Sequence, residues 1–147
     1  MTDIAFHFNA PDKLAYACRL LRKAVNADAR VVVLAPPESL EHLDQLLWTF
    51  SPLEFVAHCR WPSPVHELQA SPVVLCDALT STLLDTHDQV LLNLGSSVPV
   101  GFEAFKRVIE VVTLDEDDRR MARSRWKHYA DRGYEITRHD LKLKPEA

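Results

Sequence analysis

Arg30-Val31-Val32-Val33-Leu34-Ala35, closed by Pro36-Pro37, is the stretch that decides the fold. It is a short, continuous apolar run, rich in β-branched residues, with none of the polar alternation of a strand that faces water on one side. Such a run reads as a strand covered on both faces. The proline pair ends it, because proline brings no N–H to a ladder. Similar runs stand at Val73-Val74-Leu75-Cys76, Gln89-Val90-Leu91-Leu92-Asn93-Leu94 and Arg107-Val108-Ile109-Glu110-Val111-Val112. Between them lie helical patterns. Leu14, Ala17, Cys18, Leu21 and Val25 recur on one face of a helix over 13–26, and Leu40, Leu43 and Leu47 on one over 38–48. Strands alternating with helices predict a single-domain α/β fold over 1–147, with a largely parallel sheet flanked by helices.

Ile4, Phe6 and Phe8 alternate in a first strand that Asn9-Ala10-Pro11-Asp12 interrupts, with a cap for the next helix. Phe55-Val56-Ala57-His58 reads as a short strand and the proline-rich 60–72 as a loop, while 77–88 offers only a poor helical turn. Phe102–Lys106 reads as a short helical turn and Tyr134–Thr137 as a short strand. The longest helix candidate is Asp115–Arg132, with acidic residues in its first turn and Gly133 placed to cap its end. Residues from Lys142 onward read as a frayed terminus.

The chain has 147 residues and only three glycines, Gly95, Gly101 and Gly133. Neither G-x-G-x-x-G nor G-x-x-x-x-G-K-[ST] is present, so the architecture reads as a mononucleotide-binding fold without its phosphate loop. Cys18, Cys59 and Cys76 form no C-x-x-C pair and read as small hydrophobes in a reducing, cytoplasmic setting. No apolar run reaches the ~18 residues of a membrane helix, and the N-terminus lacks the pattern of a signal peptide.

Catalytic signals are sparse. No serine lies in a G-x-S-x-G elbow, and His58, Cys59 and His66 lack the second pair of ligands that a structural zinc site needs. Asp77, Asp85 and Asp88 follow a strand, where carboxylates serve either as metal ligands or as loop and cap residues. No metal or cofactor is expected.

Charge is distributed unevenly. Residues 1–118 carry 8 basic and 17 acidic side chains, net −9, whereas 119–147 carry 9 and 4, net +5. Arg119, Arg120, Arg123, Arg125, Lys127 and Arg132 place six cations within fourteen residues. Arg119, Arg123 and Lys127 share one helix face, beside Trp126 and near Tyr129. This pattern fits a dock for an acidic segment with an apolar anchor. It fits equally a solvated basic face whose aromatics pack on the sheet. Trp48, Phe50 and Phe55 exceed what one helix face needs, and so read either as an exposed interface patch or as core.

The ending Ala122-Arg123-Ser124-Arg125-Trp126-Lys127-His128-Tyr129-Ala130-Asp131-Arg132-Gly133-Tyr134 resembles the A-R-x-R-[WY]-K-x-Y-x-x-x-G-[FY] ending of the chi subunit of bacterial DNA polymerase III. Ala5-Phe6-His7-Phe8, Leu43-Asp44-Gln45-Leu46-Leu47-Trp48 with Phe55 and His58, and Glu110-Val111-Val112 agree in the same order, as does the overall length. Two departures are a shorter connection from Val112 to Ala122, and Ala130 where a basic residue is often found.

The resemblance implies a non-catalytic replication accessory subunit that binds no nucleotide. It implies a psi-type partner from the clamp-loader assembly at Trp48 and Phe55, a surface for which a helicase can compete. It further implies that Arg119, Arg123, Trp126, Lys127 and Tyr129 hold the acidic C-terminal tail of single-stranded-DNA-binding protein, with DNA reached only indirectly. Two alternatives remain open on the residues. One is a small nucleotide-fold enzyme using Asp77 or His58. The other is direct DNA binding by the basic helix, which the acidic body opposes.

Overall fold

The computed structural model describes residues 1–49 and 56–142. Its elements are β1 (Asp3–Ala10), α1 (Lys13–Asn26), β2 (Val31–Leu34), α2 (Pro37–Thr49), β3 (His58–Arg60), α3 (Val65–Ala70), β4 (Val73–Cys76), α4 (Ser81–Thr86), β5 (Val90–Asn93), a 3-10 turn (Phe102–Ala104), β6 (Arg107–Thr113), α5 (Glu116–Asp131) and β7 (Ile136–Asp140). Seven strands form one sheet in the order β3-β4-β2-β5-β6-β1-β7. Every pairing is parallel.

The apolar runs are continuous because both faces of the sheet are covered. Val31, Val33, Val73, Leu75, Leu92, Ile109 and Val111 pack under α1 and α2, whose contributions include Ala17, Cys18, Leu21, Leu40, Leu43 and Leu47. Ile4, Phe6, Val32, Val74, Leu91, Val108 and Val112 face the other way, under α3, α4, the 3-10 turn and α5. Successive residues of β2 thus serve opposite layers. Burial pushes the Cys18 thiol up to about 11 and the Cys76 thiol up to about 12, as expected for cysteines that act as packing residues.

Five details differ from the sequence reading. β1 runs on to Ala10, because Asn9 takes a positive φ of 66° and a register shift between His7 and Ala10 absorbs the break. β3 starts at His58 rather than at residue 55; residues 50–55, Phe50 and Phe55 among them, lie outside the described residues. The expected loop at 60–72 contains α3, whose single buried residue, Leu68, is too little for a periodicity signal. The weak turn at 77–88 is α4, started by the Thr80 hydroxyl accepting from the Leu83 N–H. β7 lies at 136–140, two residues later than expected at its start. The expected fraying beyond Lys142 falls outside the described residues.

α5 is tied at its N-terminus to both layers. The Asp115 carboxylate accepts from the Asp118 N–H at 3.0 Å. Asp118 in turn accepts from the Thr113 N–H (2.8 Å) and hydroxyl (3.0 Å) and pairs with Lys13 of α1 at 2.9 Å. Partial burial opposes the charge on Asp118, but the Thr113 and Lys13 donors outweigh it and hold the carboxyl below its ordinary value. A depressed carboxyl contributes stability above its unfolded pKa of about 3.9 and loses it as pH falls through the folded value. Asp118→Ala should therefore lower stability by about 1–3 kcal/mol at pH 7. The gap should shrink below about pH 4. Urea unfolding at pH 7 and pH 3 checks this; an equal gap at both would exclude an ionic role.

Candidate functional site

α5 carries two kinds of arginine. Arg125 is 1% exposed and lies over the sheet. Its Nε donates to Glu110 Oε1 at 2.9 Å and its Nη1 to the Ser96 carbonyl at 3.1 Å. Glu110 points up from β6 and accepts also from the Tyr129 hydroxyl (2.8 Å) and from Asn93 Nδ2 (3.0 Å). Burial pushes the Glu110 carboxyl up; the Arg125 charge and the donors of Asn93, Tyr129 and Arg125 pull it down. Burial, with the Glu110 charge, pushes the Tyr129 phenol up. This enclosed network fixes the rotation of α5 on the sheet.

The helix ends where Gly133 takes φ 78°, with Gly133 N–H donating to the Ala130 carbonyl and Tyr134 N–H to the Tyr129 carbonyl, both at 3.1 Å. That is the Schellman pattern, and the rings of Tyr129 and Tyr134 meet over it with centroids 6.3 Å apart.

With Arg125 and Tyr129 turned inward, Arg119, Arg123 and Lys127 face outward and are exposed. Trp126 is half-buried at the margin of this stripe, its ring 5.1 Å from Phe6. Arg123 pairs loosely with Glu116 at 3.3 Å, and Arg120 pairs with Asp117 further round the helix. The structure thus brings Arg119, Arg123, Trp126 and Lys127 together. Tyr129 stands apart from them: it is 0% exposed, with its hydroxyl committed to Glu110, and belongs to the frame beneath the stripe. Arg125, read in the sequence as one of a basic cluster, is likewise part of that frame.

A second surface lies at the end of α2. Trp48 is 59% exposed. Its ring meets His58 edge-on with centroids 5.4 Å apart. His58 is itself held between the Val56 carbonyl (2.6 Å) and the Asp44 carboxylate (2.7 Å). Asp44, Trp48 and His58, separate in the sequence, are one structural unit. His58 therefore serves as a support in this surface, while Asp77, Asp85 and Asp88 are exposed loop or short-helix residues. Among the described residues, no three His, Cys, Asp or Glu side chains converge on a metal-sized site. No described helix is long and apolar enough to cross a membrane.

Residues 1–137 match the family model for the DNA polymerase III chi subunit, HolC. The DNA polymerase III chi subunit of Pseudomonas aeruginosa is 30% identical over 130 residues, covering 88% of this chain and 87% of that protein. The chain belongs to the DNA polymerase III chi subunit family. As a chi-family chain it is an accessory subunit of DNA polymerase III.

Two residues of this chi-family surface and frame escaped the sequence reading. Glu110, the acceptor that turns Arg125 inward, stands in the sequence within the Glu110-Val111-Val112 stretch of the resemblance but without a role, because its partners Arg125, Tyr129 and Asn93 lie on other elements. Arg138 of β7 stacks over Trp126, with Cζ 5.9 Å from the ring centroid. Nothing in its local sequence joins it to a helix residue twelve positions earlier.

Proposed function

We propose that this chi-family chain is a non-catalytic adaptor. Through a psi-type subunit it joins the clamp-loader assembly of DNA polymerase III, and through α5 it holds the acidic C-terminal tail of single-stranded-DNA-binding protein. The observation that carries the reading is the outward stripe of Arg119, Arg123 and Lys127 beside half-buried Trp126. The aspartates of such a tail pair with Arg119 and Lys127. Its terminal carboxylate takes the planar fork of Arg123, a bidentate geometry that lysine lacks. Its final aromatic ring rests against Trp126. DNA is reached indirectly, through the protein that coats it, and the site of action is the cytoplasm.

The turn after β1 argues against a nucleotide. Pro11 removes one N–H there, and the Asp12 carboxylate already accepts from the Ala15 N–H at the start of α1. A phosphate would meet a negative charge where nucleotide folds offer free donors.

Calorimetry with a synthetic acidic peptide ending in a free aromatic residue tests the proposal. Exposed ion pairs contribute ~0.2–1 kcal/mol each, so binding should be modest and weaken with salt. Arg123→Ala should weaken it about fivefold. Arg120→Ala, on the flank, should change it little, and ATP or GTP should give no micromolar binding. Unchanged peptide affinity in a folded Arg123→Ala variant refutes the assignment.

A further inference from the structure

We propose that Arg138 is a further binding residue of the same acidic-tail site, a cation supplied by the sheet edge rather than by α5. This rests on the tail-binding reading above. β7 is the edge strand next to β1, and Arg138 is the register partner of Phe6. Phe6 is the residue against which Trp126 packs. The Arg138 guanidinium lies between two rings, with Cζ 5.5 Å from the Phe8 centroid and 5.9 Å from that of Trp126. Cation–π contact of this kind holds the group in place and leaves its edge donors free.

Arg138 is exposed and makes no hydrogen bond or ion pair among the described residues. Its position contrasts with that of Arg120 and Arg123, which already face Asp117 and Glu116 and must exchange a partner to bind another carboxylate. The acid closest in sequence, Asp140, feels the Arg138 charge but makes no ion pair with it, its carboxylate accepting from Asn9 Nδ2 at 2.8 Å and from the Lys142 N–H at 3.0 Å. A guanidinium already packed against two rings, with donors unused, is suited to a carboxylate and loses less freedom on binding one than a side chain without such contacts. The ligand is an acidic peptide rather than a nucleic acid, because the site's cations are confined to one short stripe bordered by the Trp126 and Phe8 rings on an otherwise acidic chain, which suits a short anionic segment with an apolar end and not a long phosphodiester chain. Arg138 and Trp126 together make one wall of the site, so that the tail crosses from α5 toward β7.

The test uses the full chain and the same acidic peptide, with wild type, Arg138→Ala, Arg138→Lys and Arg123→Ala compared at two salt concentrations. Arg138→Ala should weaken binding about 3–10-fold and flatten its salt dependence. Arg138→Lys should restore the salt dependence but only part of the affinity, since lysine keeps the charge and loses the fork. A purely structural Arg138 would leave the salt dependence unmoved. Wild-type affinity in Arg138→Ala, with Arg123→Ala weakened, overturns the role of Arg138 and leaves the tail site standing. Absence of peptide binding by wild type overturns both. Loss of affinity for an oligothymidylate in Arg138→Ala, with peptide affinity unchanged, also overturns the proposal, in favour of a nucleic-acid contact. If Arg138→Ala fails to unfold cooperatively in urea, Arg138→Lys decides: full wild-type affinity there refutes the need for the fork.

Discussion

Replacing Arg125 with alanine is expected to remove about 3–5 kcal/mol of folding stability, a large part of the ~5–15 kcal/mol that typically holds a domain together. The cost comes mainly from what is left behind. Glu110 stays 0% exposed with its cationic partner gone, so a carboxyl that burial already pushes up must either remain an uncompensated charge or take up a proton, and the Ser96 carbonyl is also unpaired. Arg123→Ala, two residues earlier but on the solvent side, should shift stability by no more than about 0.5 kcal/mol. Urea unfolding of both variants measures the contrast. A second comparison isolates the charge. Arg125→Met strands a buried carboxylate, whereas Arg125→Met combined with Glu110→Gln keeps acceptors for Tyr129 and Asn93 without a lone charge. The double variant should be the more stable of the two. If both are equally destabilised, lost packing rather than the stranded charge sets the cost.

If α2 seats the proposed psi-type subunit, Trp48→Ala should weaken its binding by about 2 kcal/mol or more, roughly 30-fold, because aromatic anchors buried on association dominate most interfaces. The fold should survive, since the ring is 59% exposed and its contact with His58 is edge-on. A pull-down or calorimetry with the purified partner reads the loss, and the unfolding curve serves as control. Unchanged affinity would move the interface away from α2. The support beneath the ring gives a graded second measurement. Asp44→Asn weakens the hold on His58 without touching the exposed surface, so its effect on partner binding should be smaller than that of Trp48→Ala.

Much of the fold is legible in the residues because it depends on local periodicity. Val31–Val33 and Val73–Cys76 announce strands buried on both sides, and Leu14 to Val25 announces a helix with one apolar face. Both patterns follow from geometry that each segment carries within itself. α3 and α4 are six residues each, shorter than two helical turns, so too few positions exist for a pattern to repeat. The site divides in the same way. Its basic stripe is visible, since Arg119, Arg123 and Lys127 are neighbours by helical spacing alone.

The sequence by itself determined that this is an α/β chain with a sheet flanked by helices, no phosphate loop, an acidic body and a basic last helix. Those properties depend on composition and on spacing within single elements. Only the tertiary structure decided which cations of α5 belong to the surface. Arg125 and Arg123 have identical side chains, and what separates them is Glu110, fifteen residues before Arg125 on the strand beneath it. Only the tertiary structure placed Arg138 against Trp126 as well, because β7 must first dock beside β1 to bring an edge strand under the helix. A side chain's chemistry is local, but its burial and its partner are set by elements far away in the chain, and in this protein those settle which charges remain free to meet another molecule.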